Sequence, residues 1–137
     1  MGIFSFFKNG GALGGMVQSV AESYKKLSKQ SESELEAFFL AITMRYAYSP
    51  IPNKTTVAHL VGNRIKDRVQ KDLEVGLFDL CYAIAQTEMD IKGIEDYTTD
   101  VIKKNLDNAG IPSYVQTGRR YSQAELQRIK QKYNASV

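Results

Sequence analysis

A chain of 137 residues with 43% hydrophobic and 24% charged residues has the size and composition of one globular domain. It is too hydrophobic for a disordered chain, and its net charge of +3 is too small to indicate nucleic-acid binding by itself. One cysteine, Cys81, excludes an internal disulfide and suits a reducing, cytoplasmic location. No window holds the roughly 18 uncharged apolar residues of a membrane span. The N-terminus also lacks the basic region of a secretory signal.

The N-terminal segment, residues 1–15, concentrates apolar side chains ahead of a glycine hinge. Four of them form a group that we call the N-terminal cluster: Ile3, Phe4, Phe6 and Phe7. Because the glycines at 10, 11, 14 and 15 uncouple the cluster from the helical region, we expect it to dock on its own domain or homo-oligomer, on a protein partner or in a membrane surface. Its opening, Met-Gly-Ile-Phe-Ser, resembles the start of phage-shock membrane-sensing proteins, which implies a first helix that lies on lipid.

Residues 16–137 have helical periodicity and form a single predicted helical domain. A first stripe predicts a helix that ends near Gln30: Val17, Val20, Tyr24 and Leu27. Two overlapping Ser-x-x-Glu capping boxes, over 31–34 and 33–36, then start a second helix. Large apolar side chains cover most of it, which is typical of a central helix: Leu35, Phe38, Phe39, Ile42 and Tyr46.

The remaining helices are predicted by further stripes and by the residues that interrupt them. One stripe covers 57–69, a break is expected near 70–72, and a second stripe consists of Leu73, Leu77, Leu80, Cys81 and Ile84. Gly93 is expected to end that helix, and another helix over 94–106 stops before Gly110. A third capping box at Ser122 opens the last helix. The predicted fold is an all-α compact bundle of five or six helices, with 35–46 and 73–84 at its centre.

The residues that carry chemistry do not form a recognisable catalytic set. His59 is the only histidine, so a Ser-His-Asp type of triad would depend on it alone, and Cys81 lies in an apolar stripe that disfavours a reactive thiolate. One histidine and one cysteine cannot fill a zinc site. The densest acidic group is expected to be a solvated helix end: Glu88, Asp90, Glu95, Asp96 and Asp100. We therefore predict no catalytic residue, metal, cofactor or small-molecule substrate.

The C-terminal region carries a basic patch with interleaved tyrosines. Its candidate phosphate-binding residues are Arg119, Arg120, Arg128 and Lys132. The segment from Arg119 to Ile129 resembles the short stretch that opens a helix in MerR-type regulators. The helix-turn-helix and wing that precede this stretch in that family are missing here, so the resemblance does not extend to the family's function. Because specific DNA readers are typically far more basic than this chain, solvation of a terminal helix is the favoured interpretation.

These observations predict a small, non-enzymatic cytoplasmic protein that acts through protein–protein interaction. An adaptor, an immunity or inhibitor protein, or a structural subunit would fit, with a protein partner or a second copy of the chain. One alternative is a peripheral membrane protein that uses the N-terminal cluster at the inner face of a membrane. A weaker alternative is a nucleic-acid binder that uses the basic C-terminal helix.

Overall fold

The structure, a computed structural model, describes residues 15–47, 54–93, 97–111 and 118–133. These described ranges contain six helices: α1 (Gly15–Leu27), α2 (Glu34–Ala47), α3 (Lys54–Gln70), α4 (Leu77–Lys92), α5 (Thr99–Asn108) and α6 (Gln123–Lys132). Within these ranges no residue belongs to a β-strand, and the extended backbone forms one isolated antiparallel bridge between Val75 and Arg119. The predicted all-α bundle is confirmed.

Helices α2 and α4 occupy the centre, as their apolar faces predict. Helix α2 packs against α1, α3, α4 and α6, and α4 packs against α1, α2, α3 and α5. Six large apolar side chains on the inner faces of these helices are at most 2% exposed: Phe38, Phe39, Ile42, Leu77, Leu80 and Ile84. The stripe predicted over 73–84 includes one residue, Leu73, that does not belong to the buried face. Helix α3 ends at Gln70, and Leu73 lies between α3 and α4 with 41% of its surface exposed.

Local signals set several of the helix ends. The Ser33 hydroxyl accepts a hydrogen bond from the Glu36 N–H at 3.1 Å, and the Ser122 hydroxyl accepts one from the Glu125 N–H at 3.1 Å. Gly93 ends α4 with a left-handed φ of 67°, as predicted. The earlier serine, Ser31, instead donates to the Leu27 carbonyl at 3.1 Å, so α1 ends before the predicted position and the first capping box does not start α2.

The glutamates of the two boxes that start helices have other partners than the predicted one. Glu36 is fully buried and accepts hydrogen bonds from side chains of α6 and its C-terminal end, whereas Glu125 lies 3.3 Å from Arg119. In each case the carboxylate has a cationic partner, Lys132 or Arg119, and ion-paired hydrogen bonds of this kind are strong. The bond predicted for the serine of each box is therefore confirmed. The bond predicted from each glutamate back to the start of the helix is wrong, because a cation lies within reach of the carboxylate.

The central position of α2 and α4 leads to a stability prediction. We expect Phe39→Ala or Leu80→Ala to lower the free energy of unfolding by about 2–5 kcal/mol, since each leaves a cavity in a packed core. Urea denaturation monitored by circular dichroism measures the change. Leu73→Ala is the control and should cost well under about 1 kcal/mol, because Leu73 is largely exposed. Equal losses for all three variants would contradict the central placement.

Candidate functional site

A groove of about 660 Å³ opens between α3 and α4, and its volume lies in the range of protein ligand sites. We call it the α3–α4 groove. Helix α3 and helix α4 each supply five lining residues: Leu60, Asn63, Arg64, Asp67 and Arg68, and Phe78, Asp79, Tyr82, Ala83 and Gln86. The two helices lie side by side because only the short turn over 71–76 separates them.

Hydrogen bonds around this turn fix the first end of the groove. The Arg68 guanidinium donates to the Glu74 carbonyl at 2.6 Å, and it lies 3.4 Å from the Asp79 carboxylate. The other oxygen of Asp79 accepts from the Gly76 N–H at 2.9 Å and so caps the start of α4. Arg68 and Asp79 therefore serve both the turn and the groove wall.

The opposite end of the groove is held by Arg64. Its guanidinium donates to the Thr87 hydroxyl at 2.7 Å and forms an ion pair with Asp90. The Thr87 hydroxyl is buried and donates in turn to the Ala83 carbonyl at 2.9 Å. This chain of bonds joins the middle of α3 to the last two turns of α4.

Between these two ends the groove presents aromatic surface. The rings of Phe78 and Tyr82 have centroids 6.4 Å apart, and Tyr82 is 39% exposed. The nearby Asp67 carboxylate lies 2.9 Å from the Lys71 ammonium. Because the charged side chains at the rim have partners within the protein, the main surface on offer to a ligand is apolar and aromatic.

The sequence patterns did not identify this groove. Phe78 and Tyr82 are spaced i, i+4, which places them together on one face of a helix, outside the stripe of Leu77, Leu80 and Ile84. That spacing is the one signal that the sequence offers. It does not reveal that α3 leaves the pair partly uncovered, because the separation of two helices depends on packing across the whole bundle.

The four candidate basic residues lie at two separate places in the structure. Arg119 is 3.3 Å from Glu125 and stacks on the Tyr121 ring, and Arg120 is 3.6 Å from Asp72 in the turn before α4. Arg128 and Lys132 project from α6 toward the start of α2. Each cation is thus within 4 Å of a carboxylate, which reduces the positive potential available to a phosphate.

The second of these places centres on the buried carboxylate of Glu36. Its Oε1 accepts from Lys132 at 2.5 Å and from the Tyr133 hydroxyl at 2.7 Å, and its Oε2 is 3.9 Å from Arg128. Burial alone raises the pKa of the Glu36 carboxyl, but the hydrogen bonds from Lys132 and Tyr133 and the charge of Arg128 outweigh it and hold that pKa below 4.5. The cluster ties α6 to α2.

The acidic group at the end of α4 differs from its prediction. Glu88 is fully buried, and its Oε1 accepts from the Met16 N–H at 3.3 Å, so it is not part of a solvated helix end. Asp90 and Asp100 are exposed, whereas Glu95 and Asp96 lie outside the described residues. Glu88 is buried because an N-terminal N–H of α1 needs an acceptor where α1 packs against α4.

The remaining chemical candidates have ordinary structural surroundings. Burial raises the pKa of the Cys81 thiol, which disfavours the thiolate, and the His59 ring lies 3.0 Å from the Asn63 amide. Among the described residues, no group of three or more His, Cys, Asp or Glu side chains could hold a metal ion. None of the described helices has the length and apolar character needed to cross a bilayer. The N-terminal cluster (Ile3, Phe4, Phe6 and Phe7) lies outside the described residues.

The Glu36 cluster predicts a specific dependence of stability on pH. We expect Glu36→Gln to lower the free energy of unfolding by about 1–3 kcal/mol at pH 7, where a charged acceptor is lost. A carboxyl whose pKa is lowered on folding stabilises above its unfolded pKa and loses that contribution as pH falls through the folded value. The difference between variant and parent in urea denaturation should therefore be largest at pH 7 and shrink progressively as the pH is lowered below 4.5.

The exposed Glu32, 3.7 Å from Arg128, gives the matched control. Glu32→Gln should change stability little at either pH, because exposed ion pairs contribute little. A loss for Glu36→Gln that does not shrink as the pH is lowered from neutral into the acid range would contradict the charged state assigned to the cluster.

The pairing of the basic residues predicts the outcome of a DNA-binding test. We expect no mobility shift of a duplex DNA probe at about 0.15 M salt, because Arg119, Arg120, Arg128 and Lys132 are already paired with carboxylates. A complex that persists at that salt concentration and weakens in Arg128→Gln would contradict this expectation and support the nucleic-acid alternative.

No protein-family model matches the sequence, and neither a characterised protein nor a solved structure matches it. The geometry of the described residues is therefore the basis on which a function can be proposed.

Proposed function

We propose that the protein is a non-enzymatic interaction protein that binds an apolar segment of a partner protein in its α3–α4 groove. The observation that carries the proposal is the aromatic pair of Phe78 and Tyr82, which lies in a groove of about 660 Å³ whose rim charges are paired internally. Aromatic side chains in a concave, well-supported surface are the usual energetic centres of protein interfaces.

The walls of the groove support this proposal because they are held before any ligand arrives. Arg64 is fixed by Thr87 and Asp90, and Arg68 by Glu74 and Asp79. Ordering a long side chain on binding costs about 0.5–1.5 kcal/mol, and that cost is reduced where the side chain is already held. A tyrosine and a phenylalanine add contact area with only two side-chain torsions each.

The internal pairing of the rim charges determines which kind of segment fits the groove. An anionic ligand would have to compete with Asp90 for Arg64 and with Asp79 for Arg68. A segment with aliphatic or aromatic anchors meets no such competitor and covers Tyr82, which is 39% exposed. An amphipathic segment with anchors at i, i+3 and i+4, laid between two helices, is a common form of such recognition.

A peptide selection tests this function. We expect a phage-displayed library of random peptides about 12 residues long, panned on the full-length protein, to yield sequences with two or three large apolar anchors. Synthetic versions should bind in fluorescence anisotropy. Tyr82→Lys should weaken that binding by at least about tenfold, because it removes an aromatic anchor from the centre of the groove.

Leu73→Lys is the matched control, since Leu73 is 41% exposed and does not line the groove. It should leave the affinity of the selected peptides unchanged, and both variants should melt within a few degrees of the parent. Selected peptides that bind the Tyr82→Lys variant as well as the parent would overturn the proposal.

A further inference from the structure

We infer that the N-terminal cluster of the same chain is a built-in ligand of the α3–α4 groove, so that an external partner has to displace it. This inference rests on the proposed function, because it names one occupant of the same groove. It makes the groove a self-occupied site in the free protein.

The chemistry of the N-terminal cluster matches the chemistry of the groove. Ile3, Phe6 and Phe7 are spaced i, i+3 and i+4, which is the anchor pattern of an amphipathic segment that binds between helices. None of the cluster's side chains is charged, and the groove's rim charges already have partners. Four large apolar side chains close together also favour burial in an apolar groove, because the free energy gained is roughly proportional to the apolar area removed from water.

The position of α1 brings the segment within reach of the groove. The Met16 N–H is bonded to the buried Glu88, so the first turn of α1 is fixed against the last turns of α4. Gln86, at the near end of the groove, lies two residues and therefore about 3 Å earlier along the α4 axis. The groove is on the other flank of α4, and a helix with its side chains is about 10–12 Å across.

The connecting residues, 8–14, are long enough for this path. Seven residues span at most about 25 Å when fully extended, which is about twice the width of α4. A short tether that spans its site gives an effective concentration in the millimolar range. At micromolar protein concentrations, the cluster of the same chain therefore outcompetes the cluster of a second copy.

Paramagnetic relaxation measured by NMR on the full chain tests this inference. Cys81 is fully buried, so a cysteine introduced as Ser5→Cys takes up a nitroxide label selectively. We expect the label to broaden the amide signals of Asn63, Tyr82 and Gln86 along the groove and to leave Lys104 on α5 sharp. Tyr82→Lys in the labelled protein should remove the broadening, and Leu73→Lys should keep it.

A mixed sample identifies the chain that supplies the cluster. Nitroxide-labelled protein at natural isotope abundance is mixed with isotope-labelled protein that carries no nitroxide, so that only contacts between two molecules broaden signals. We expect no broadening in this mixture at about 100 µM protein. Broadening along the groove in the mixture, or no groove broadening in the first sample, would overturn the inference.

Competition separates a failure of this inference from a failure of the proposed function. A triple variant, F4S/F6S/F7S, should bind the selected library peptides about tenfold more tightly than the parent, because the tethered competitor is lost. If the selected peptides bind the parent and this variant equally, the inference is wrong and the groove still binds partners. If no peptide binds either protein, the proposed function fails as well.

Discussion

Helix α4 is buried in the core along one face and lines the α3–α4 groove along the other, and the rest of the structure depends on this double role. One face buries Leu77, Leu80 and Ile84 against α1, α2 and α5, which supplies much of the hydrophobic stabilisation of the bundle. The opposite face carries Phe78 and Tyr82 and is only partly covered by α3. Because the first face is anchored on several helices, the second is presented on a rigid support. The α3–α4 groove is therefore a consequence of where α4 has to be buried.

Buried carboxylates join elements that are far apart in the sequence. Glu88 accepts a hydrogen bond from the Met16 N–H of α1, which is 72 residues away, and Glu36 accepts one from Lys132, which is 96 residues away. A buried charge is costly unless its partners are in place, so each carboxylate disfavours packings in which its partner is displaced. In this chain the two links fix the entry of α1 beside α4 and the seat of α6 on α2. The first of them also fixes the start of α1, to which the N-terminal segment is joined in the sequence.

The sequence predicts the local features of this fold and misses those that depend on contacts between residues far apart in the chain. Ser33, Ser122 and Gly93 act where their patterns place them, because a cap concerns only the few residues around it. Leu73 continues a helical stripe in the sequence, yet it is exposed because the turn after Gln70 interrupts the helix. Glu88 belongs to an acidic run that predicts exposure to solvent, but the need of α1 for an acceptor buries it. The groove could not be predicted at all, since its walls come from two helices whose separation no local pattern encodes.

In the proposed arrangement, the apolar segment and the apolar groove of one chain cover each other when no partner is present. Exposed apolar patches promote association, and a tethered occupant covers the groove without requiring a second molecule. The tether also sets a threshold for any partner. Against an effective concentration of about 1 mM, a competitor present at about 1 µM has to bind roughly 1,000-fold more tightly than the free segment, which corresponds to about 4 kcal/mol. A partner meets that threshold by covering more of the apolar groove than the tethered segment covers, because the charges at the rim are already paired within the protein.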